Sequence, residues 1–360
     1  TLMVPTEVLA IQHFKSFKVF LKSLSFEIIL FTGGDKGKER EKKLKLIESG
    51  EAKIIIGTHS LFQKKVNFKN LKLAVIDEQH KFGVIQRQSL EKKGKLNTII
   101  MSATPIPRSL ALTVYGDKDL TLLNEKPKDR PSIETFIIPS SKIDRLLERI
   151  KRDLEFGFQT YWICPLIEQS EKIDLSNSIE RFDFLSKALS NFKVGLIHGK
   201  MSPEEKEYEL SKFNEGITKI LVSTTVIEVG IDNPNAASII IECANRFGLS
   251  QLHQLRGRVG RGQVKSSCFL IYDLPLSENA IERLKIMKDT IDGFKIAEKD
   301  LGLRGPGDFF GTLQSGDEIF RLASVKENIC LLEEAVRLFH ELEVKEQVFS
   351  KEFDKLRRFI

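Results

Sequence analysis

Short apolar runs alternate with helical patterns along the chain as far as residue 275. The run Leu73-Ala74-Val75-Ile76 is apolar on both faces and leads into a carboxylate, which is typical of a buried parallel strand whose carboxyl end opens onto a site. Successive strand–helix units predict the α/β class, with mostly parallel sheets flanked by helices. The predicted strands are Leu2–Pro5, Glu27–Phe31, Lys53–Thr58, Leu73–Asp77 and Thr98–Ser102, followed by Ile133–Ile138, Thr160–Cys164, Val194–Ile197, Lys219–Ser223, Ser238–Glu242 and Ser267–Tyr272.

The two series of strands predict two tandem α/β domains. Between them the sequence becomes polar and is interrupted by prolines, which is typical of an interdomain linker. After residue 275 the pattern is helical over Ser277–Leu301, and a glycine-rich loop beginning at Arg304 follows. The predicted boundaries are a first domain over 1–125, a linker over 126–134, a second domain over 135–275, a helical hairpin and loop over 276–318, and a helical segment over 319–360.

Composition excludes several classes of protein. Of the 360 residues, 41% are hydrophobic and 29% are charged, which is typical of a folded globular chain. No apolar run approaches the roughly 18 residues that a membrane-spanning helix needs. The four cysteines are dispersed, which argues against a disulfide scaffold and favours a reducing compartment. A net charge of +6 permits a nucleic-acid partner without requiring one.

Candidate catalytic residues in the first half follow the buried strand. Asp77 and Glu78 are adjacent carboxylates, of which the first suits a hydrated magnesium ion and the second suits the orientation of an attacking water. Ser102 and Thr104 follow the next predicted strand, where small hydroxyls can hydrogen-bond carboxylates. The competing interpretation is a strand-end turn with two solvated acids.

Candidate phosphate-binding residues in the second half lie in two segments. Residues 254–261 contain three arginines and two glycines, and guanidinium groups neutralise the charge of a transferring phosphoryl group. Residues 223–232 follow a predicted strand and offer hydroxyls and backbone N–H groups to a nucleic-acid phosphate, while Asp232 could meet a ribose. The competing interpretation of the first segment is a solvated basic helix end.

In their order and strand-end positions, these segments resemble the motor of superfamily 2 helicases and, within it, the RecG family. The distal hairpin and loop resemble the translocation motif that RecG shares with the transcription-repair coupling factor. The resemblance implies two tandem RecA-like domains followed by this motif. The matching segments are Pro5–His13, Asp77–His80, Ser102–Thr104, 223–232, 254–261, Asp292–Leu301, Arg304–Gly307 and Gln314–Gly316.

The resemblance also assigns roles to individual residues. It implies that Asp77 holds Mg²⁺ through water and that Glu78 positions the hydrolytic water of ATP, with Gln79 and His80 completing the motif. Arg258 and Arg261 would reach the ATP phosphates. The remaining implied residues are Gly230, Asp232 and Gln254 for the nucleotide, Ser102, Thr104, Arg304 and Gln314 for coupling, and Thr6, Gly33, Gly34, Thr58, Thr224 and Thr225 for the DNA backbone.

One element of the family is missing from the sequence. No G-x-x-x-x-G-K-[ST] phosphate loop occurs in the chain, and the nearest segment, Gly33–Glu39, lacks the final hydroxyl. In the family this loop and the DNA-wedge domain precede the first matching segment. We therefore expect the chain to be a C-terminal fragment that is catalytically silent alone and retains DNA binding.

The resemblance implies an ATP-dependent helicase that remodels forks and Holliday junctions in recombination and repair. Its partners would be branched or duplex DNA and a single-stranded-DNA-binding protein, and the protein would be a monomer of the cytoplasm without a membrane segment. The motor of a transcription-repair coupling factor is the alternative enzyme. RNA also remains open, because hydroxyls that contact phosphate do not distinguish the sugars.

Overall fold

The two predicted series of strands form two separate sheets. The structure is a computed structural model that describes residues 1–63, 65–78, 96–103, 121–123, 125, 131–165, 171–224, 233–262, 264–304 and 334. Every strand pairing in these residues is parallel. The predicted α/β class with parallel sheets is therefore confirmed.

The first sheet has five strands in the order β2-β3-β1-β4-β5. The short strand β1 pairs with both β3 and β4, so the beginning of the chain lies in the middle of this sheet. Because the strands are parallel, all their carboxyl ends meet at one edge. The strands are β1 Leu2–Met3, β2 Glu27–Phe31, β3 Ala52–Gly57, β4 Leu73–Ile76 and β5 Asn97–Ile100.

Helices α1 (Glu7–Phe20) and α2 (Gly37–Ser49) cover opposite faces of the first sheet. The cause is the alternation of side chains along the strands. In β2, Ile29 and Phe31 belong to the apolar cluster that contains Ile47 of α2. The intervening residues of β2 pack instead in the cluster that contains Ala10 of α1. Alternate residues of one strand thus anchor the two helices.

The second sheet has six strands in the order β6-β11-β10-β7-β9-β8. Every residue of β7, β9 and β10 is buried, as expected for central parallel strands with both faces covered. The strands are β6 Ile133–Pro139, β7 Gln159–Ile163, β8 Val194–Ile197, β9 Ile220–Ser223, β10 Ala236–Ile241 and β11 Ser266–Tyr272.

Helices pack on both faces of the second sheet. On one face, Trp162 of β7 lies in a cluster with Leu147 and Ile150 of helix α3 (Ile143–Glu155). On the other face, the ring of Tyr161 lies 4.9 Å from the ring of Phe213 in helix α5 (Pro203–Asn214), measured between centroids. The helices of this region are α3 Ile143–Glu155, α4 Glu171–Ala188, α5 Pro203–Asn214 and α6 Leu249–Arg256.

The segment predicted to be helical over Ser277–Leu301 consists of two helices, α7 (Glu278–Asp289) and α8 (Gly293–Arg304). Asp292 separates them, because its Oδ1 accepts a hydrogen bond from the Phe294 N–H at 2.9 Å and so starts a new helix. Two successive helices thus lie where the hairpin was predicted, and the hairpin itself remains a prediction. The loop and the C-terminal segment predicted after it lie outside the residues that the structure describes, except Glu334.

No helix within the described ranges combines the length and the apolar composition that crossing a bilayer requires. The predicted linker over 126–134 falls largely outside those ranges, so the domain boundaries at 125 and 135 remain predictions.

Candidate functional site

The candidate residues of the first domain meet at the carboxyl edge of the first sheet. Asp77 and Glu78 directly follow β4, the strand next to β1. Ser102 comes two residues after the end of the neighbouring strand β5. Thr58 directly follows β3, and Thr6 follows β1 by three residues. The parallel register thus places at one edge residues that are up to 96 positions apart (Thr6 to Ser102) in the sequence.

Glu78 adopts an unusual backbone conformation at this edge. Its φ of 50° lies in the left-handed region, which residues with a side chain rarely occupy. The Glu78 N–H donates to Asp77 Oδ1 at 2.9 Å, and Glu78 Oε2 accepts from the Ala103 N–H at 3.4 Å. Glu78 is 8% exposed. Strain of this kind is typical of functional sites, and here it holds the Glu78 carboxylate between the ends of two strands.

The electrostatic environment of Asp77 favours a bound cation. Burial raises the pKa of the Asp77 carboxyl above its ordinary value, while the hydrogen bond from Glu78 and the charge of His13 act in the opposite direction. The ionised carboxylate is therefore incompletely compensated by the protein. A divalent cation next to Asp77 would supply the missing positive charge, so this residue fits the predicted magnesium site.

The glycine pair after β2 is held by an acid of α1. Gly34 N–H donates to Glu7 Oε1 at 3.0 Å and lies 3.3 Å from the Thr32 hydroxyl. Both Gly33 and Gly34 are exposed, as a contact with a DNA backbone requires. The carboxylate of Glu7 fixes the loop next to the start of α1.

The three described threonines that were predicted to contact DNA lie in different environments. The Thr6 hydroxyl caps α1 by accepting from the Leu9 N–H at 3.3 Å. Thr58 is buried, and its hydroxyl lies 3.5 Å from that of Ser60. Thr224 follows β9 in the second sheet and is 2% exposed. The predicted contacts of these three residues with DNA remain predictions.

The arginine-rich segment begins in the last turn of α6 and packs, at Gly260, against the start of β6. Gly260 has a φ of 71°, and a Cβ on it would lie 2.8 Å from the side chain of Ile133. This close packing fixes the backbone around Arg258, which is 8% exposed. Arg261 is exposed, and its Nε donates to the Gly257 carbonyl at 3.2 Å. The predicted nucleotide-binding residue Gln254 is half-buried within α6.

Arg256 was not singled out by the sequence pattern, although the structure buries it more than its neighbouring arginines. It is 2% exposed, and its guanidinium donates to the Thr135 hydroxyl at 3.3 Å. Burial lowers the pKa of Arg256, and the thiol of Cys268 acts in the opposite direction. Arg256 thus ties the end of α6 to β6. Its position before a glycine was a local signal that it ends a helix, but the pairing with Thr135 spans 121 residues.

The remaining predicted site residues fall outside the described part of the chain. These residues are Gln79, His80, Thr104, Thr225, Gly230, Asp232 and Gln314. Arg304 is the last residue of α8, but its side chain is not described. The roles of all these residues therefore remain predictions.

Three protein-family models match successive parts of the chain. The DEAD/DEAH box helicase model matches residues 1–113, and the model of the helicase conserved C-terminal domain matches residues 141–263. The model of the C-terminal part of domain 3 of ATP-dependent DNA helicase RecG matches residues 290–350. Each of the two α/β regions thus corresponds to one helicase domain.

Individual proteins resemble the chain over nearly its whole length. ATP-dependent DNA helicase RecG of Bacillus subtilis is 47% identical over 336 residues, which cover 93% of this chain and 49% of that protein. The protein of the same name from Escherichia coli is 44% identical over 343 residues, covering 94% of this chain and 50% of that protein. The chain spans about half the length of the curated relatives it matches.

A solved structure of RecG bound to a three-way DNA junction superposes with a TM-score of 0.71 at 42% sequence identity. The superposed region covers 92% of this chain and 43% of the RecG chain in that structure. The two sheets described above therefore have the RecA-like helicase fold that the resemblance implied.

Proposed function

The chain belongs to the RecG family of superfamily 2 helicases, and from this membership we propose that it is the motor part of an ATP-dependent helicase that translocates on branched or duplex DNA. The observation that carries the proposal is the geometry of Glu78. Its left-handed backbone holds a buried carboxylate beside Asp77 and next to the Ala103 N–H.

In the proposed reaction, water attacks the γ-phosphorus of ATP. The new bond joins the water oxygen to phosphorus, the bond between phosphorus and the β–γ bridging oxygen breaks, and ADP leaves. The Glu78 carboxylate orients the water and accepts its proton. Magnesium, when bound, supplies positive charge that neutralises the phosphates. Asp77 is the described residue that would hold it through water.

The arginine segment would complete the phosphate site from the second domain. Guanidinium groups match the charge that develops on a transferring phosphoryl group. Arg261 is exposed and therefore available to such a ligand, whereas Arg258 is largely buried beside it. We propose Arg261 as the arginine finger and Arg256 as the residue that positions this segment on β6.

The proposal is tested by magnesium-dependent ATP turnover with and without a forked DNA. Turnover is measured for two proteins. One is the chain by itself. The other, called the joined protein, is a fusion in which the chain follows the part of the Bacillus subtilis relative that precedes the matched region. The joined protein should hydrolyse ATP, and forked DNA should stimulate it. Glu78→Gln should reduce this turnover by about a hundredfold or more, because a general base contributes at least that much.

Binding of the same forked DNA is the control for Glu78→Gln. The substitution preserves the size and hydrogen-bonding capacity of the side chain, so DNA affinity should not change. If Glu78→Gln retained full DNA-stimulated turnover, the assignment of Glu78 and the proposed mechanism would both be wrong.

A second candidate function applies to this chain by itself. The sequence contains no G-x-x-x-x-G-K-[ST] phosphate loop, so the isolated chain would bind DNA without hydrolysing ATP. DNA binding without turnover by the isolated chain would support this interpretation. Turnover that Glu78→Gln abolishes would show instead that another segment holds the phosphates.

The wider biological setting is also part of the proposal. We place the protein in the cytoplasm, as a monomer that acts on stalled forks and Holliday junctions during recombination and repair. A single-stranded-DNA-binding protein is the proposed protein partner. The match of a RecG model to residues 290–350 and the identity of the curated relatives favour this family over a transcription-repair coupling factor, and DNA over RNA.

A further inference from the structure

Two loops at the carboxyl edge of the first sheet are tied together by a buried hydrogen bond. The loop over 32–35 follows β2 and contains the glycine pair described above, and the 3₁₀ turn His59–Phe62 follows β3. The Ser60 hydroxyl donates to the Phe31 carbonyl at 3.1 Å, which links the turn to the last residue of β2. Because β2 and β3 are parallel neighbours, both loops leave the same part of the sheet edge.

Arg40 of α2 joins the same two loops by a second route. Its Nη1 donates to the Thr32 carbonyl at 3.4 Å, and its Nη2 donates to Gln63 Oε1 at 2.8 Å. Gln63 directly follows the 3₁₀ turn. Since a guanidinium group is planar and presents its donors in a fixed geometry, one side chain here sets the separation of the two loops.

The orientation of Arg40 is fixed by helix α2 and by an aromatic ring. Arg40, Leu44 and Ile47 share one face of α2, because residues three and four apart along a helix are neighbours. Ile47 is buried in the apolar cluster of the first sheet, and Leu44 packs against that cluster. The Arg40 Cζ lies 4.6 Å from the centroid of the Phe31 ring, which is typical of a cation–π contact. The guanidinium is therefore held against the sheet.

The loop over 32–35 is restrained at both of its ends by α2. The Thr32 N–H donates to Asp35 Oδ2 at 2.8 Å, and Lys43 of α2 forms an ion pair with Asp35 Oδ1. Arg40 thus holds the loop at Thr32 and Lys43 holds it at Asp35, while Glu7 of α1 accepts the Gly34 N–H. Charged side chains of two helices fix a short loop whose glycines are exposed. A loop held in this way is ordered before a ligand arrives.

We propose that Arg40 is a positioning residue that keeps these two loops in one arrangement before DNA binds. The inference rests on the proposed function, in which the resemblance places DNA-backbone contacts at Gly33, Gly34 and Thr58. Thr58 immediately precedes the 3₁₀ turn. Arg40 acts through the loops and not by its own contact with DNA, because its guanidinium lies on the Phe31 ring and both terminal nitrogens donate to the protein.

The first test measures the affinity of the joined protein for a fluorescein-labelled forked DNA by fluorescence anisotropy. Arg40→Ala should weaken binding by about tenfold, because a loop without this restraint must be ordered when DNA binds. Arg40→Lys should lose nearly as much, since an ammonium group keeps the charge but lacks the planar donor geometry. Full affinity of Arg40→Ala, or full rescue by Arg40→Lys, would overturn the inference.

The salt dependence of binding distinguishes a positioning residue from a cation that contacts phosphate. Loss of one phosphate contact reduces the slope of log affinity against log salt concentration by about one. Arg40→Ala should weaken the affinity and leave this slope unchanged. A slope reduced by about one would mean that Arg40 itself binds a phosphate, and the positioning role would be wrong.

Gln63→Ala keeps the charge of Arg40 and removes the acceptor at one end of the bridge. Gln63 is exposed, so the fold should tolerate its replacement. The affinity for forked DNA should fall by less than in Arg40→Ala. The double variant should bind as Arg40→Ala does, because both residues belong to one bridge. Independent, additive losses would contradict a bridge between the loops.

Lys42→Ala is the matched control. Lys42 lies in α2 two residues after Arg40 and is exposed. Its removal takes the same charge from the same helix and should leave DNA affinity unchanged. Equal weakening by Lys42→Ala and Arg40→Ala would mean that only net charge matters, and the inference would fail. A lower urea midpoint of Arg40→Ala with unchanged DNA affinity would show a role in stability alone.

ATP turnover separates this inference from the proposed function. At saturating forked DNA, Arg40→Ala should reach the turnover of the unmodified joined protein, and only the DNA concentration for half-maximal stimulation should rise. Glu78→Gln should instead lower turnover and leave DNA affinity intact. Unchanged affinity of Arg40→Ala, with the effect of Glu78→Gln retained, would remove the positioning role alone. A joined protein that neither binds forked DNA nor hydrolyses ATP would remove the proposed function and, with it, the inference.

Discussion

The two sheets of the molecule differ in how completely their strands are buried. In the second sheet, β7, β9 and β10 are buried along their entire length. In the first sheet, β5 is mostly exposed, with Ile99 50% exposed, and Leu73 at the start of β4 is 42% exposed. Part of this difference follows from position, because β5 is an edge strand whereas β7, β9 and β10 are central, and the edge strand β6 of the second sheet has no fully buried residue either. The partly exposed β4, which is not an edge strand, shows that the first sheet is also less covered away from its edges.

The difference in burial between the two sheets indicates that the second sheet contributes more of the stability, whereas the first carries the candidate catalytic residues. The second sheet has helices packed on both faces around Trp162 and Tyr161, which are fully buried. The first sheet carries the strained backbone of Glu78 and the desolvated carboxylate of Asp77 at its edge. Strain and uncompensated charge lower stability where they occur. We therefore expect the first sheet to be the less stable of the two.

The largest expected difference in stability is between isoleucine-to-alanine substitutions in the two sheets. Ile240→Ala in β10, where the side chain is fully buried, should destabilise the second sheet by about 2–5 kcal/mol. Ile99→Ala in β5 should cost less than about 1 kcal/mol, because half of that side chain is already in water. Trp162 is the only tryptophan, so its fluorescence during urea unfolding reports on the second sheet.

Far-ultraviolet circular dichroism in the same titration reports on both sheets. In the unmodified chain, ellipticity should begin to fall at a lower urea concentration than the fluorescence changes. Coincident transitions, or equal losses from the two isoleucine substitutions, would contradict the proposed difference in stability.

The next largest effect is expected within the first sheet, where β2 and β3 approach each other closely. A Cβ on Gly57 would lie 2.1 Å from the Phe31 carbonyl oxygen, which belongs to the backbone and cannot rotate away. Gly57→Ala should therefore destabilise the first sheet by about 1–3 kcal/mol. The measurement is the urea midpoint of the circular dichroism transition.

Gly302→Ala provides a control of opposite sign. Gly302 lies in α8, and nothing lies within 4 Å of the Cβ that alanine would add. Alanine is favoured over glycine in a helix by about 0.5–1 kcal/mol, so this variant should be slightly more stable. If Gly57→Ala were tolerated equally well, the close approach of β2 and β3 would not constrain the first sheet.

The sequence was a good guide to the strands because apolar runs and their polar boundaries are local. The strand predicted over Val194–Ile197 has those bounds in the structure, and the run predicted over Leu73–Asp77 ends one residue earlier. Because the end of this strand was predicted to within one residue, the sequence correctly located Asp77 and Glu78 at a strand end. It was also sufficient to predict the parallel α/β class, since strands alternated with helices.

Other features of the site depend on contacts that sequence spacing does not contain. Glu78 has a left-handed φ, and its carboxylate accepts a hydrogen bond from the Ala103 N–H, which lies 25 residues away in the sequence. The position of Arg256 depends on its hydrogen bond to the Thr135 hydroxyl, 121 residues away in the sequence. Such residues are recognised from tertiary pairing.

The smallest expected effect, and the one that links stability to chemistry most directly, is that of Asp77→Asn. Burial raises the pKa of Asp77 in the folded state, so the folded chain binds this proton more tightly than the unfolded chain does. Stability contributed by this group is thus present below the ordinary pKa of 3.8 and is lost as pH rises through the folded-state value. Asparagine cannot ionise, and its Oδ1 can still accept the Glu78 N–H.

Asp77→Asn should therefore raise the melting temperature slightly at pH 7, and this gain should disappear below pH 3.8. Thermal unfolding at the two pH values provides the comparison, with the unmodified chain as the reference. The same substitution should abolish magnesium-dependent turnover in the joined protein, because it removes the carboxylate that favours the cation. A lower melting temperature at neutral pH would mean that ionised Asp77 stabilises the first sheet. The lower stability of that sheet would then have to come from its exposed strands alone.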